Sequence, residues 1–237
     1  ILATQKTDTA TEIRVLVDEP LTSKQDIKYL VVSHDVQTLG TPERFHSTTD
    51  LIEMPVLPGG NWNCAEINRS PDGKKALVTK TSCAHLAGVE EIWHPLQIEY
   101  LTLRIHPMET SNERVQLVSH PFLDTPNNLA VMKFASFEDS IVSIEHETRV
   151  YKALEGSDAA PKFLGHVAEN GRVIGFLMEY IEGARRVSSD EGFYDLALDL
   201  CGSALKTLHD QGVAHRDAHP GNCLIRKTGK AVWLDFE

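Results

Sequence analysis

With 237 residues, the chain is long enough to bury a core as one large or two small domains, and its 41% apolar and 24% charged content is ordinary for a globular protein. The formal net charge of −11 argues against a nucleic-acid partner, because neutralising phosphates requires a surplus of Lys and Arg. No apolar run reaches the roughly eighteen residues of a membrane span, and the first stretch lacks the hydrophobic centre of a signal peptide, so the expectation is a cytoplasmic protein without a membrane partner.

Cys64, Cys83, Cys201 and Cys223 are scattered without the paired spacing of a zinc site, and they are expected to be reduced thiols. Ile13–Val17 and Tyr29–Val32 predict short strands, and no chemistry attaches to them. Leu57-Pro58-Gly59-Gly60-Asn61-Trp62 is a cluster of structure breakers that predicts a boundary. Beyond it, Trp62–Ile67 and Lys75–Thr79 flank a Pro71-Asp72-Gly73 turn and predict a hairpin. Residues 1–95 are thus expected to form a β-rich N-terminal extension.

Three strands are predicted next, over 96–105, 114–119 and 129–134. Alternation in Leu101, Leu103, Ile105 and in Val115, Leu117 suits an antiparallel sheet with one buried face. The turn between the first two, His106 to Glu113, contains no glycine. Lys133 lies in the apolar strand Ala130–Phe134, where a cation is costly unless paired; the alternative is an edge-strand lysine facing solvent. From Asp139 onward Ile141, Ile144, Tyr151 and Leu154 mark one helical face that also carries Glu147. A carboxylate on a buried stripe calls for a cation, so Glu147 is paired with Lys133, whereas Glu145 and Glu155 fall off the stripe and read as solvated.

Pro161–Ala168 and Arg172–Tyr180 predict a hairpin across Asn170-Gly171. Its second strand runs into Met178-Glu179-Tyr180-Ile181. Ser188-Ser189-Asp190 offer caps for a helix whose stripe runs from Phe193 through Leu196, Ala197, Leu200, Cys201, Ala204 and Leu205 to Leu208, with Gly212 as terminator.

The chain then reads His215-Arg216-Asp217-Ala218-His219-Pro220-Gly221-Asn222, an apolar strand from Cys223, a tight connection and a second strand ending in Asp235-Phe236-Glu237. Phosphoryl transfer from a nucleotide needs this inventory: one carboxylate to orient a hydroxyl, and an amide with a second carboxylate to hold magnesium. These residues resemble the protein kinase-like superfamily: His215-Arg216-Asp217 with Asn222 fits the catalytic-loop pattern, and Asp235-Phe236 stands where the metal-binding Asp-Phe-Gly stands. His219 two residues after the Asp looks more like the aminoglycoside and choline kinase branch, while Arg216 is the protein-kinase choice. The run from Pro58 through Asn68-Arg69 to His94-Pro95 is similar to kinase-like proteins of filamentous fungi.

The resemblance implies an α+β fold: an antiparallel five-stranded small lobe with one helix and a hinge over 96–183, and the start of a helical large lobe over 184–237. It makes Asp217 catalytic, Asn222 and Asp235 magnesium ligands, and Lys133, held by Glu147, the group on the phosphates of ATP. By position Met178 becomes the residue guarding the nucleotide pocket, and Glu179, Tyr180 and Ile181 the hinge along the adenine edge; the plain alternative is a buried strand leading into a loop. His219 either touches the transferred phosphate or packs on the Asp217 loop. Because a kinase-like fold normally continues past this point, the chain is expected to be a fragment. The function implied is an ATP- and Mg2+-dependent phosphotransferase acting on a hydroxyl of an unknown small-molecule or protein acceptor. A Gly-free phosphate lid argues for a nucleotide-binding pseudokinase instead, and Arg216 for a Ser/Thr protein kinase.

Overall fold

In the computed structural model, which describes residues 1–18, 25–37, 55–108, 114–187 and 193–236, the chain divides into two units, Ile1–Leu86 and Ala87–Glu237. The first holds β1 (Ala3–Lys6), β2 (Ala10–Asp18), β3 (Gln25–Ser33), a four-residue helix α1 (His34–Gln37), β4 (Cys64–Arg69) and β5 (Ala76–Ser82). The sheet order is β1-β2-β3-β4-β5, antiparallel except for β3 beside β4. Period-two alternation puts Ile13 and Val15, Leu30 and Val32, and Ala65 and Ile67 into one core with Trp62.

Trp62 corrects one expectation. The breaker cluster at Leu57–Trp62 is no boundary, because Leu57 and Trp62 pack into this core and the indole Nε1 donates to Pro58 O at 2.8 Å. The hairpin beyond it forms as expected, closed by Ser70 N–H on Lys75 O at 2.8 Å with Gly73 at φ 69°.

The second unit builds a mixed α+β structure on a six-stranded sheet of order β6-β10-β11-β9-β8-β7. Its strands are β6 (Gln97–Glu99), β7 (Arg104–His106), β8 (Val115–Ser119), β9 (Leu129–Phe134), β10 (Phe163–Glu169) and β11 (Arg172–Glu179). The single strand expected over 96–105 is two strands. A 3-10 turn at Tyr100–Thr102 breaks it, and the halves lie at opposite edges of the sheet, β6 parallel to β10 and β7 antiparallel to β8. The five strands expected become six for this reason. Leu101 and Ile105 are exposed and Leu103 is buried, so the apolar alternation there does not line one face.

Helix α2 (Glu138–Ala153) buries Ile141, Ile144, Glu147, Thr148 and Tyr151 against β9 and β11. The β10–β11 turn places Asn170 and Gly171 at φ 50° and 83°, the left-handed pair that matches strand twist in a two-residue hairpin. Helix α3 (Tyr194–Asp210) buries Ala197, Cys201, Ala204 and Leu208, whereas Leu196 is exposed. It ends at Gly212, φ 78°, with Gly212 N–H on His209 O and Val213 N–H on Leu208 O, both at 2.9 Å, which satisfies carbonyls that a helix end leaves over. The expected caps Ser188–Asp190 lie outside the described residues, as do residues 109–113 of the Gly-free turn and Glu237.

A small sheet, β12 (Arg185–Arg186), β13 (Cys223–Ile225) and β14 (Ala231–Trp233), packs on α3. Here the expectation of reduced thiols is overturned for one pair: Cys201 of α3 and Cys223 of β13 form a disulfide, while Cys64 and Cys83 remain thiols. Twenty-two residues separate the two sulfurs in sequence, so only the fold brings them together. Among the described residues no helix is long and apolar enough to cross a membrane.

Candidate active site

Lys133 points from β9 into a buried charge cluster. Its Nζ lies 2.8 Å from Glu147 Oε2 and also bonds Asp235 Oδ1. The lysine is 6% exposed and Glu147 is 1% exposed, whereas the Asp235 side chain is half open to solvent. Desolvation on this scale is tolerable only because the charges neutralise one another at contact distance. Burial pushes the Glu147 carboxyl above its ordinary range; the Lys133 ammonium and the Phe236 N–H oppose the rise, and the Asp235 charge adds to it.

Glu147 also reaches the C-terminal segment directly. Its Oε1 accepts the backbone N–H of Phe236 at 3.0 Å, so one helical carboxylate holds the strand lysine with one oxygen and the residue after Asp235 with the other. Phe236 is buried between Tyr151, one turn beyond Glu147 on the same face, and His215, with ring centroids 5.5 and 5.1 Å away. Tyr151 is itself buried, which raises its phenol well above 10, and the neutral hydroxyl donates to Met178 Sδ at 3.2 Å.

His215 Nε2 lies 2.9 Å from Leu234 O, and because a carbonyl only accepts, this nitrogen carries the proton. Burial lowers the pKa of His215, which favours the neutral ring. Arg216, at φ 65°, sits in the left-handed region, closed by Asp217 N–H on His215 O at 2.8 Å. Such strain in a residue with a full side chain persists only where surrounding structure enforces it, and it concentrates at functional sites. Asp235, at φ 67°, is a second case.

Asp217 and Asn222 form the other half of the site. Asn222 Nδ2 donates to the Asp217 carbonyl at 3.2 Å and to its carboxylate Oδ2 at 3.1 Å. His219 Nε2 stands 3.5 Å from the same oxygen, while its Nδ1 accepts the Gly221 N–H at 3.1 Å and caps the 3-10 turn Pro220–Asn222. Any Cβ on Gly221 would lie 2.8 Å from His219 Cε1, so ring and glycine fit as a unit. His219 therefore braces the Asp217 loop, one of the two roles expected for it.

The two halves are joined by the β13–β14 hairpin. Leu234 N–H donates to Asn222 O at 2.8 Å, which fixes Asn222 and Asp235 at neighbouring positions on paired strand ends. Seven residues, Tyr151, His215, Asp217, Asn222, Asp235, Lys133 and Glu147, are thus connected by contacts within one region of the second unit.

Beside this cluster lies a cleft of about 510 Å³. Val115, Leu117 and Val131 line it from β8 and β9, Leu224 and Leu234 from the β13–β14 side, and Met178, Glu179, Tyr180 and Ile181 from the end of β11. Among the expected hinge groups, Glu179 N–H donates to Lys162 O at 2.8 Å and Ile181 O accepts Ala184 N–H at 3.2 Å. The Glu179 carboxylate is engaged as well: Arg226 forks onto it at 2.6 and 2.8 Å and holds its pKa below the usual carboxylate range.

Two features escape a reading of the sequence. Arg226 lies in a turn-like stretch with nothing to mark Glu179 as its partner. Glu145, expected to be solvated, is only 13% exposed and its Oε2 accepts Glu90 N–H at 2.7 Å and Glu91 N–H at 3.3 Å. An i, i+4 spacing does reveal its link to Arg149, at 2.7 Å.

No family model matches the chain. Among curated proteins, the chain is 27% identical over 114 residues to the serine/threonine-protein kinase OXI1 of Arabidopsis thaliana, covering 44% of this chain and 24% of that protein. It is 28% identical over 132 residues to a probable cAMP-dependent protein kinase catalytic subunit of Encephalitozoon cuniculi, covering 47% and 38%. It is 31% identical over 81 residues to the probable serine/threonine-protein kinase PknB of Corynebacterium glutamicum, covering 30% and 12%. The chain therefore spans well under half the length of each of these relatives. These similarities support a relationship to the protein kinase-like superfamily.

Proposed function

We propose that this chain carries the nucleotide site of an ATP- and Mg2+-dependent phosphotransferase. The observation that carries the proposal is the Lys133 ammonium held by Glu147 and Asp235, on a hairpin whose other end presents Asn222 to Asp217. The donor set suits magnesium. With its Nδ2 engaged by Asp217, Asn222 would offer Oδ1, and Asp235 a solvent-facing carboxylate, both hard oxygens; magnesium on phosphates needs only one or two such ligands.

Bound Mg·ATP would supply the transferable phosphoryl group and the charge neutralisation around it. The protein's own tasks follow from the geometry. Lys133, oriented by Glu147, would hold phosphate oxygens; the apolar walls Val115, Val131 and Leu224 would sandwich the base, with the Glu179–Ile181 backbone along its edge. Asp217, mostly exposed, would orient the acceptor hydroxyl and take its proton late in transfer. The three relatives are named as protein kinases, two of them as serine/threonine-protein kinases, which favours a protein hydroxyl over a small aminoglycoside-like acceptor.

The test combines a thermal-shift titration of the full chain with Mg·ATP and turnover of labelled ATP. Wild type is expected to gain stability with Mg·ATP, Asp235→Ala to lose the magnesium-dependent part, and Asp217→Ala to bind but not turn over. Stabilisation without turnover in wild type would identify a nucleotide-binding scaffold. No stabilisation at millimolar Mg·ATP, or turnover retained by Asp217→Ala, would refute the assignment.

A further inference from the structure

The segment Ala87–Leu96, which leads into β6, runs across the outside of α2 and is fastened to the sheet on either side of it. At its start, Arg172 Nη1 donates to Ala87 O, and Val89 N–H donates to Val173 O at 2.8 Å, tying it to β11. At its end, His94 N–H donates to His166 Nε2 at 3.3 Å and His166 N–H to Leu96 O at 2.9 Å, tying it to β10. Between these anchors it grips the helix at three levels. Glu145 Oε2 takes the Glu90 and Glu91 N–H groups at 2.7 and 3.3 Å, Trp93 Nε1 donates to Thr148 O at 3.2 Å, and Lys152 Nζ pairs with Glu91 at 2.6 Å.

Glu145, Thr148 and Lys152 follow the i, i+3, i+7 spacing of one helical face. That face lies about 100° around the helix from the one presenting Glu147 and Tyr151 to Lys133 and Phe236. The strap therefore loads α2 from a different side than the charge cluster and fixes its rotation and its distance from the sheet. Lys133 belongs to that same sheet, since β9 pairs with β11 at Phe176↔Lys133. The Trp93 ring, 4.6 Å from Phe163, adds an apolar anchor at the foot of β10.

We propose that Glu145 is a positioning residue: by capping the N–H groups of Glu90 and Glu91 it seats the strap on α2 and holds the helix where Glu147 meets Lys133. The inference rests on the proposed nucleotide site. It places control of the phosphate-gripping lysine in a segment that touches neither the lysine nor the cleft, and any event that lifts the strap would let Glu147 move away.

The experiment measures two affinities in the full chain by calorimetry, that of Mg·ATP, which engages Lys133, and that of adenosine, which has no phosphate. Glu145→Ala removes the acceptor, Glu145→Gln keeps an acceptor oxygen without the charge, and Trp93→Phe removes the indole N–H donor while keeping a smaller aromatic ring. The expected result is a loss of Mg·ATP affinity of about tenfold in Glu145→Ala, the size of one charge-assisted hydrogen bond. Adenosine affinity is unchanged, Glu145→Gln recovers most of the loss, and amide exchange across 138–153 accelerates. Trp93→Phe shows a smaller loss in the same direction and stands in if Glu145→Ala does not fold. Equal weakening of both ligands, or wild-type Mg·ATP affinity in both Glu145→Ala and Trp93→Phe, overturns the inference. Failure of wild type to bind Mg·ATP is the distinct outcome that removes the nucleotide site, and this inference with it.

Discussion

Acid should weaken the second unit through one histidine. His166 is fully buried in β10 beside the rings of Trp93 and Phe163, and its Nε2 accepts the His94 N–H, which places the proton on Nδ1. Burial, reinforced by the nearby His94 and opposed by Glu91, lowers its pKa from 6.5 to about 4. The unfolded chain therefore binds a proton at this site between pH 6.5 and about 4 that the folded chain refuses, so the contribution to stability is fully present above 6.5 and falls as pH drops. Each pH unit inside that window costs up to about 1.4 kcal/mol, and acidification from 6.5 to 4.5 removes about 2 kcal/mol. Urea unfolding of wild type and His166→Gln at closely spaced pH values isolates the term, because the carboxylates and the buried His215 contribute equally to both proteins. The stability difference between them should shrink by about that amount across the window. A pH-independent difference would refute the assignment of His166 as a buried neutral imidazole.

Three further outcomes follow from contacts described above. At Gly175 a Cβ would lie 2.5 Å from Lys133 O and from Phe134 Cβ, so Gly175→Ala should cost about 2–3 kcal/mol in chemical denaturation and weaken Mg·ATP binding by displacing the lysine strand. Arg226→Lys keeps the charge but loses the forked geometry on the partly buried Glu179, and a loss of about 1–2 kcal/mol is expected where an equally stable protein would show the fork to be inert. Alkylation of the denatured, unreduced chain followed by mass analysis should modify Cys64 and Cys83 alone; reduction should open Cys201 and Cys223 and lower stability by about 3 kcal/mol, the entropy of a loop whose ends are 22 residues apart. Labelling of all four cysteines without reductant would show the pair to be thiols, as a cytosolic setting would keep them.

Much of the site was legible because its residues obey short-range rules. The stripe of α2 carried Glu147 inward with Ile144 and Tyr151, and a carboxylate on such a stripe needs a cation, which Lys133 supplies at 2.8 Å. Asn170-Gly171 announced its hairpin through two left-handed residues. What failed to show depends on distance along the chain or on competing local patterns. Leu101, Leu103 and Ile105 alternate like a strand, yet a 3-10 turn at Tyr100–Thr102 diverts the chain to the other edge of the sheet. Glu145 looks like an outward acid until residues some 55 positions earlier offer it their N–H groups. Nothing near Cys201 or Cys223 announced the other sulfur, because only the docking of β13 on α3 brings them together.

The β13–β14 hairpin has a consequence for how this chain tolerates change. Because Asn222 and Asp235 sit just beyond the open ends of two strands in fixed register, their separation is set by the ladder and not by the tip at Arg226–Lys230. Residues added at that tip would leave the proposed magnesium ligands where they are, whereas one residue added or lost within Ala231–Trp233 would exchange the faces of that strand and carry Asp235 out of step with Asn222. Length variation among natural or engineered versions of this chain should therefore gather at the tip and be absent from its legs.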